Sequence, residues 1–179
     1  TFLTGLYLKN NQLDEITGNI FTGLYNLEKL ELTNNKISYI ENNSFIDLKS
    51  LQELTLDLNR LKSIELGVFY GLKALRTIRL SNNQLEKIDG AFSNLSELVE
   101  IYLDSNKLHR IDNRTFKGVE MLNRILLSKN PLDEYIEKHV LDRFAQDIFE
   151  LGLSNIEANP SDFINFSLFK QIHFLDLSN

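Results

Sequence analysis

Leu30-Glu31-Leu32-Thr33-Asn34-Asn35-Lys36-Ile37 decides the fold, because its frame returns along the chain. The frame is an aliphatic residue, a spacer, leucine, two spacers, asparagine, a spacer and another aliphatic residue. It recurs as Leu6-Leu8-Asn11-Leu13, Leu54-Leu56-Asn59-Leu61 and Ile78-Leu80-Asn83-Leu85. Ile101-Leu103-Asn106-Leu108 and Ile125-Leu127-Asn130-Leu132 follow. The asparagines Asn11, Asn35, Asn59, Asn83, Asn106 and Asn130 stand 24, 24, 24, 23 and 24 residues apart. A fixed period of this size signals stacked repeats, each too small to bury its own apolar face.

Alternation such as Leu30-Glu31-Leu32 is the period of a half-buried strand, with leucines inward and the intervening residues outward. One strand per period makes neighbouring strands parallel, ~4.8 Å apart. The remaining residues of each period return the chain, which produces a coil. The asparagine falls where the chain leaves the strand and backbone groups lose their ladder partners. An inward amide carries donors and acceptors and can satisfy both its own coil and the next. These six asparagines are therefore assigned to structure, not binding. Phe21, Phe45, Phe69, Phe92 and Phe116 each precede Leu24, Leu48, Leu72, Leu95 and Val119 by three residues, which predicts a second apolar column under the outer wall.

The combined frame resembles the leucine-rich repeat family, in the 24-residue class typical of animal extracellular proteins. The resemblance covers residues 3–179 as seven repeats and part of an eighth, bounded 3–26, 27–50, 51–74, 75–97, 98–121, 122–147, 148–171 and 172–179. It implies an α/β solenoid: a curved right-handed stack of coils, with a parallel β-sheet on the concave face and loops and short helices on the convex face. The chain reads as one array over 1–179. Its frame is already running at Leu3 and stops at Leu175-Asp176-Leu177-Ser178-Asn179, which reads as an uncapped piece of a longer protein.

Bulk properties restrict the function. Hydrophobic content of 42% and charged content of 25% are ordinary for a soluble domain. No apolar run approaches the ~20 residues of a membrane helix. A net charge of −6 with scattered Lys and Arg argues against nucleic acid as partner. Zero cysteines fit a secreted interior segment and a cytosolic protein equally.

Three repeats depart from the frame. After Pro131, apolar residues at Leu132, Tyr135, Ile136, Val140, Phe144 and Ile148, with His139, fall at helical spacing. Pro131, Asp133 and Glu134 suit a helix start, so a longer convex helix is expected there, without a phenylalanine at the usual column position. In repeat 7, Ile156 stands where asparagine is expected; Asn155 is one step away and could serve, or the ladder ends and the stack bends. Phe166 and Phe169 restore the outer column. Repeat 4 is one residue short near Gly90, which a tight turn would explain.

Catalysis finds no support. There is no cysteine, and His109, His139 and His173 fall on different faces. Asp57 and Asp104 share a repeat position but lie two coils apart, roughly 10 Å, too far for one metal. No metal or cofactor is expected.

What remains is the inner surface. Its central column reads Tyr7, Glu31, Thr55, Arg79, Tyr102, Leu126, Gly152, Asp176. The preceding column reads Gly5, Lys29, Glu53, Thr77, Glu100, Arg124, Glu150, Phe174, and the following one Lys9, Thr33, Asp57, Ser81, Asp104, Ser128, Ser154, Ser178. Lys29 faces Glu53, and Arg124 faces Glu100 and Glu150, pairs worth only ~0–1 kcal/mol each when exposed. Tyr102 and Leu126 with the neighbouring arginines are favoured interface types. Arg79, Glu100, Tyr102, Asp104, Arg124 and Leu126 are therefore the candidate site for a protein ligand. Phe174 is expected to be exposed, or covered by a following repeat.

Asn42, Asn94, Asn113 and Asn165 begin N-glycosylation sequons, and all four fall off the concave columns. That suits a secreted or cell-surface protein binding through its inner face. Similar arrays belong to Toll-like receptors and secreted insect immune proteins, which implies extracellular recognition, with innate immunity as the favoured setting. Two other classes stay open: a spacer or assembly unit of an adhesion or guidance receptor, self-associating through its ends or convex side, and a cytosolic regulatory scaffold.

Overall fold

A computed structural model of the chain describes residues 2–133 and 136–178. Its strands are β1 (Gly5–Tyr7), β2 (Glu15–Ile16), β3 (Lys29–Glu31), β4 (Tyr39–Ile40), β5 (Glu53–Thr55), β6 (Thr77–Arg79), β7 (Glu100–Tyr102), β8 (Arg124–Leu126), β9 (Glu150–Gly152) and β10 (Phe174–Asp176). Eight of them form one sheet in the order β1-β3-β5-β6-β7-β8-β9-β10, and β2 pairs with β4 on the other side of the coil. Every pairing is parallel and in the register of the repeat: Leu6 faces Leu30, Leu30 faces Leu54, and so on to Leu151 and Leu175. The molecule is a leucine-rich solenoid of about seven turns, with the sheet on its inner face.

The core follows from the frame. Leu30, Leu54, Ile78, Ile101, Ile125 and Leu151 are fully buried, as are Leu32, Leu56, Leu80 and Leu103 one step along. Opposite them, Phe21, Phe45, Phe69, Phe92 and Phe116 stack ring on ring at 5.7 to 6.2 Å. Burying one such ring contributes several kcal/mol, and offset stacking adds roughly 0.5–1.5 kcal/mol per pair.

The asparagines bridge coils as their chemistry requires. Asn83 Nδ2 donates to its own coil at the Leu80 carbonyl (3.1 Å) and to the preceding coil at the Leu56 carbonyl (2.9 Å), while Oδ1 accepts the Leu61 N–H (3.1 Å). Asn35, Asn59, Asn106 and Asn130 repeat that pattern. Asn11 is exposed and bonds only its own coil, at the carbonyls of Leu8 and Lys9. The ladder ends at Asn130. Asn155 does not shift into the role: it is exposed, with φ +53°, and Ile156 packs inward.

Asn155 closes a column with a different job. Asn10, Asn34, Leu58, Asn82, Ser105, Lys129 and Asn155 all have φ between +53° and +59°, one left-handed residue per coil. That kink ends each strand and turns the ladder asparagine inward. Asn supplies this conformation most cheaply; Leu58, Ser105 and Lys129 hold it at a cost of about 1–2 kcal/mol. Gly90, in the short repeat, has φ +69°, but Asn43 and Gly67 take the same left-handed backbone two residues before Phe45 and Phe69 in repeats of full length, so this turn alone does not account for the missing residue.

The helix expected after Pro131 does not form. Among the described residues there is no α-helix, only 3₁₀ turns at Asp142–Phe144, Pro160–Asp162 and Phe166–Leu168. Two observations explain the difference. His139 has φ +62°, which no α-helix accommodates, and the segment's own bonds are short turn bonds such as Val140 N–H to the Glu137 carbonyl, while Asp133 N–H and Glu137 N–H donate to the carbonyls of His109 and Ile111 in the preceding coil. Leu132, Ile136, Val140, Phe144 and Ile148 are buried as foreseen, but turns deliver them. His139 is exposed, and Glu134 and Tyr135 lie outside the described residues. This repeat has no phenylalanine at the usual place, where Val140 stands, but Phe144 reaches the end of the column from four residues further on. It meets Phe116 edge to face at 5.9 Å. Further on, Phe166 and Phe169 pair with each other at 6.2 Å.

Candidate functional site

Parallel register converts the repeat into a lattice of side chains on the inner face. Tyr7, Glu31, Thr55, Arg79, Tyr102, Leu126, Gly152 and Asp176 are successive partners along one row. The row from Gly5 to Phe174 lies beside it in the same register.

Four of the six candidate residues interlock. Arg79 lies over the Tyr102 ring, 4.1 Å from its centre, with its Nε 2.8 Å from Asp57 Oδ2. Arg124 Nη1 donates to the Tyr102 hydroxyl (2.8 Å) and to Glu100 Oε1 (3.2 Å), and its Nε donates to Glu150 Oε2 (2.6 Å). The tyrosine hydroxyl in turn donates to Glu100 Oε2 at 3.0 Å. Tyr102 is thus held by two arginines from the coils on either side, and burial pushes its hydroxyl pKa above the ordinary range, Arg124 opposing and Glu100 reinforcing the shift. The Lys29–Glu53 pair also forms, at 2.9 Å.

Asp104 and Leu126 sit differently from what the columns suggest. Among the described residues Asp104 makes no ion pair; its Oδ2 accepts the Ser81 hydroxyl at 3.3 Å. Burial raises its pKa, with hydrogen bonds opposing and the Asp57 charge adding to the rise. Leu126 does not stand free. Gly152, beside it, has no side chain, and Leu126 leans into the space: a Cβ built on Gly152 would lie 3.0 Å from Leu126 Cδ2.

Two aromatics stand exposed on the rows: Phe174, as expected, and Tyr7, which the sequence reading placed in the central column without singling it out. Tyr7 is the most exposed aromatic of the sheet's rows at 61%, leaning back over Gly5. Phe174 is 59% exposed and packs edge-on against Phe149 at 5.4 Å, while Phe149 stacks on His173 at 4.5 Å. The signal for both was on the page, as aromatics at outward strand positions; what sequence alone lacked was the neighbour that props each ring.

Asn42, Asn94, Asn113 and Asn165 are all exposed and outside the sheet's rows. Asn113 Nδ2 donates to Glu137, and Asn165 Oδ1 accepts from the Ser167 hydroxyl at 2.7 Å. No helix among the described residues is long and apolar enough to cross a membrane.

Comparison with known proteins agrees with this fold. The chain superposes on the Toll protein of the Drosophila Toll–Spatzle complex with TM-score 0.83 and 24% identity, over 97% of this chain and 23% of that one. TLR13, in its complex with ssRNA13, gives 0.79 and 23%, over 98% and 29%. A leucine-rich repeat protein of Leptospira interrogans gives 0.82 and 26%, over 97% and 42%. The chain therefore spans well under half of each of these structures. One of the three is a complex with RNA, so the exclusion of nucleic acid drawn from net charge is not supported by the fold. No curated protein matches the sequence. The leucine rich repeat family model matches residues 2–61 and 50–108, more than half of the chain. On the repeat frame, the in-register sheet and this match, the chain belongs to the leucine-rich repeat family.

Proposed function

We propose that this chain is a recognition module that binds a protein ligand on its inner face, with Tyr102 as the central anchor. The observation that carries the reading is the fixation of Tyr102 between Arg79 and Arg124. An aromatic ring already held in place loses little conformational freedom on binding, and Tyr and Arg dominate the energetics of protein interfaces. Glu100 and Asp104 flank it, and Leu126 supplies an apolar neighbour. Toll, a structural relative, was solved in complex with Spatzle, which supports a protein as the ligand class.

We place the module outside the cell, in an innate-immune setting. The four exposed sequons off the inner face and the Toll-like likeness support this. Intact-mass measurement on protein from a secreting host tests the compartment: glycan mass at one or more of Asn42, Asn94, Asn113 and Asn165 is expected, and none at any of them counts against it.

The binding test is recovery of partners from extracellular fluid, with Tyr102→Ala/Leu126→Ala as the control. Loss of an anchor costs at least ~2 kcal/mol, roughly thirtyfold in affinity. Unchanged capture by the double variant, or capture of RNA in place of protein, overturns the reading.

A further inference from the structure

Across the three inner rows there are seven carboxylates and four cations. Each cation is spent within the face: Lys9 on Glu31, Lys29 on Glu53, Arg79 on Asp57, and Arg124 on Glu100 and Glu150. Two carboxylates are left without a cation among the described residues, Asp104 and Asp176. Both line the same hollow.

That hollow, of about 620 Å³, exists because Gly152 occupies the centre of a lattice of larger side chains. Along its row stand Leu126 on one side and Asp176 on the other. Glu150 and Phe174 border it on the preceding row, Ser128 and Ser154 on the following one. The walls are therefore chemically distinct: Leu126 and the propped ring of Phe174 are apolar, while the far end is a carboxylate. Asp176 Oδ1 accepts both the amide (3.1 Å) and the hydroxyl (2.7 Å) of Ser178, Ser154 on the neighbouring coil also hydrogen-bonds the carboxylate, and the residue stays exposed at the wall of the hollow. The serines are less available, since Ser128 Oγ already accepts the Ser154 N–H at 3.0 Å. Lys129 also lines the hollow, and among the described residues it forms no ion pair with either carboxylate.

An occupant must match an apolar stem to Leu126 and Phe174 and a positive tip to Asp176. A neutral sugar would leave the charge unmatched; an aliphatic side chain would leave it desolvated, which is costly. We propose that the hollow over Gly152 receives a basic side chain of the protein ligand, arginine in preference to lysine, stacked on Phe174 and paired with Asp176. Arginine fits better because its flat guanidinium stacks on aromatic rings and binds carboxylates two-pronged. This specifies the ligand chemistry of the face proposed above and rests on that reading.

The test uses the whole chain, isotopically labelled, titrated in NMR with N-acetyl-arginine methylamide. Matched derivatives of citrulline, lysine and leucine, and methyl glucoside, are the comparison probes. The arginine probe is expected to shift the amides of Gly152, Leu126 and Asp176 with a dissociation constant on the order of 1–10 mM, and citrulline to bind about tenfold more weakly. Asp176→Asn should erase the preference for arginine over citrulline. Gly152→Val should abolish all binding while leaving the chain folded, since the first atom it meets is the flexible end of Leu126. Equal binding of citrulline, preference for leucine or the glucoside, shifts mapping elsewhere, or an Asp176→Asn variant that keeps the preference would each overturn the proposal. If Asp176→Asn leaves partner capture intact while Tyr102→Ala/Leu126→Ala abolishes it, the recognition face stands and only its arginine pocket falls.

Discussion

Arg79 holds its guanidinium 4.1 Å from the centre of the Tyr102 ring, and Arg124 grips the same residue by its hydroxyl at 2.8 Å. Three consecutive coils thus meet on one side chain. Replacing Tyr102 by Phe removes only the hydroxyl, which leaves Arg124 still bonded to Glu100 and Glu150. A urea melt is expected to show a loss of about 0.5–1.5 kcal/mol with an unchanged slope. A larger loss would mean that the tyrosine serves the fold more than the surface.

The ladder offers an internal control. Asn83→Ala strands the buried Leu61 N–H and removes one of two amide bonds at the Leu56 and Leu80 carbonyls, which keep those from Asn59 and Asn106, so a destabilisation of about 1–3 kcal/mol is expected. Asn11→Ala, in the same frame but exposed and bonded to one coil only, should cost less than ~1 kcal/mol. Equal losses in denaturant unfolding would show that the amides act locally and do not tie coil to coil.

Phe92 stands mid-column, 6.1 Å from Phe69 and 6.2 Å from Phe116, and is fully buried. Phe92→Ala should cost about 3–5 kcal/mol in thermal or chemical unfolding. Phe144→Ala should cost a comparable amount, because that ring extends the same column edge to face; a mild effect there would remove it from the column.

Asp104 governs a pH effect of definite sign. Burial raises its folded pKa above the ordinary carboxylate value, so the ionised form is penalised in the folded state. The favourable contribution of the protonated form is complete below the unfolded pKa and is lost as pH rises through the folded one. Asp104→Asn is therefore expected to be more stable than the parent near pH 7, with the gain vanishing as pH falls below about 4. Melting temperatures of both proteins across that range decide it; a gain that grows toward acid would refute the sign.

The repeat frame made the sheet register, the asparagine ladder and most of the phenylalanine column legible, because each depends on a spacing that one dimension preserves. The segment after Pro131 was misread for the converse reason. Apolar residues about four apart look helical, and nothing in the letters betrays the left-handed backbone at His139 or the bonds from Asp133 and Glu137 to the previous coil. Phe144 went unseen in the column because extra residues moved it off the count. On the inner face, the rows were readable but their relief was not. Gly152 appeared as one more member of a row, whereas it removes a side chain from the lattice and draws Leu126 sideways.

The end of the ladder at Asn130 has a dynamic consequence. Up to that point each junction is riveted by an amide that spans two rungs; past it, Ile156 contributes grease but no rivet. In stacked arrays, local opening follows the weakest neighbour-to-neighbour seam. Deuterium uptake should consequently sweep first through the amides of Leu153, Glu157 and Ala158, leaving Leu56, Leu80 and Leu103 protected, and the arginine pocket would then sit on the part of the solenoid that breathes.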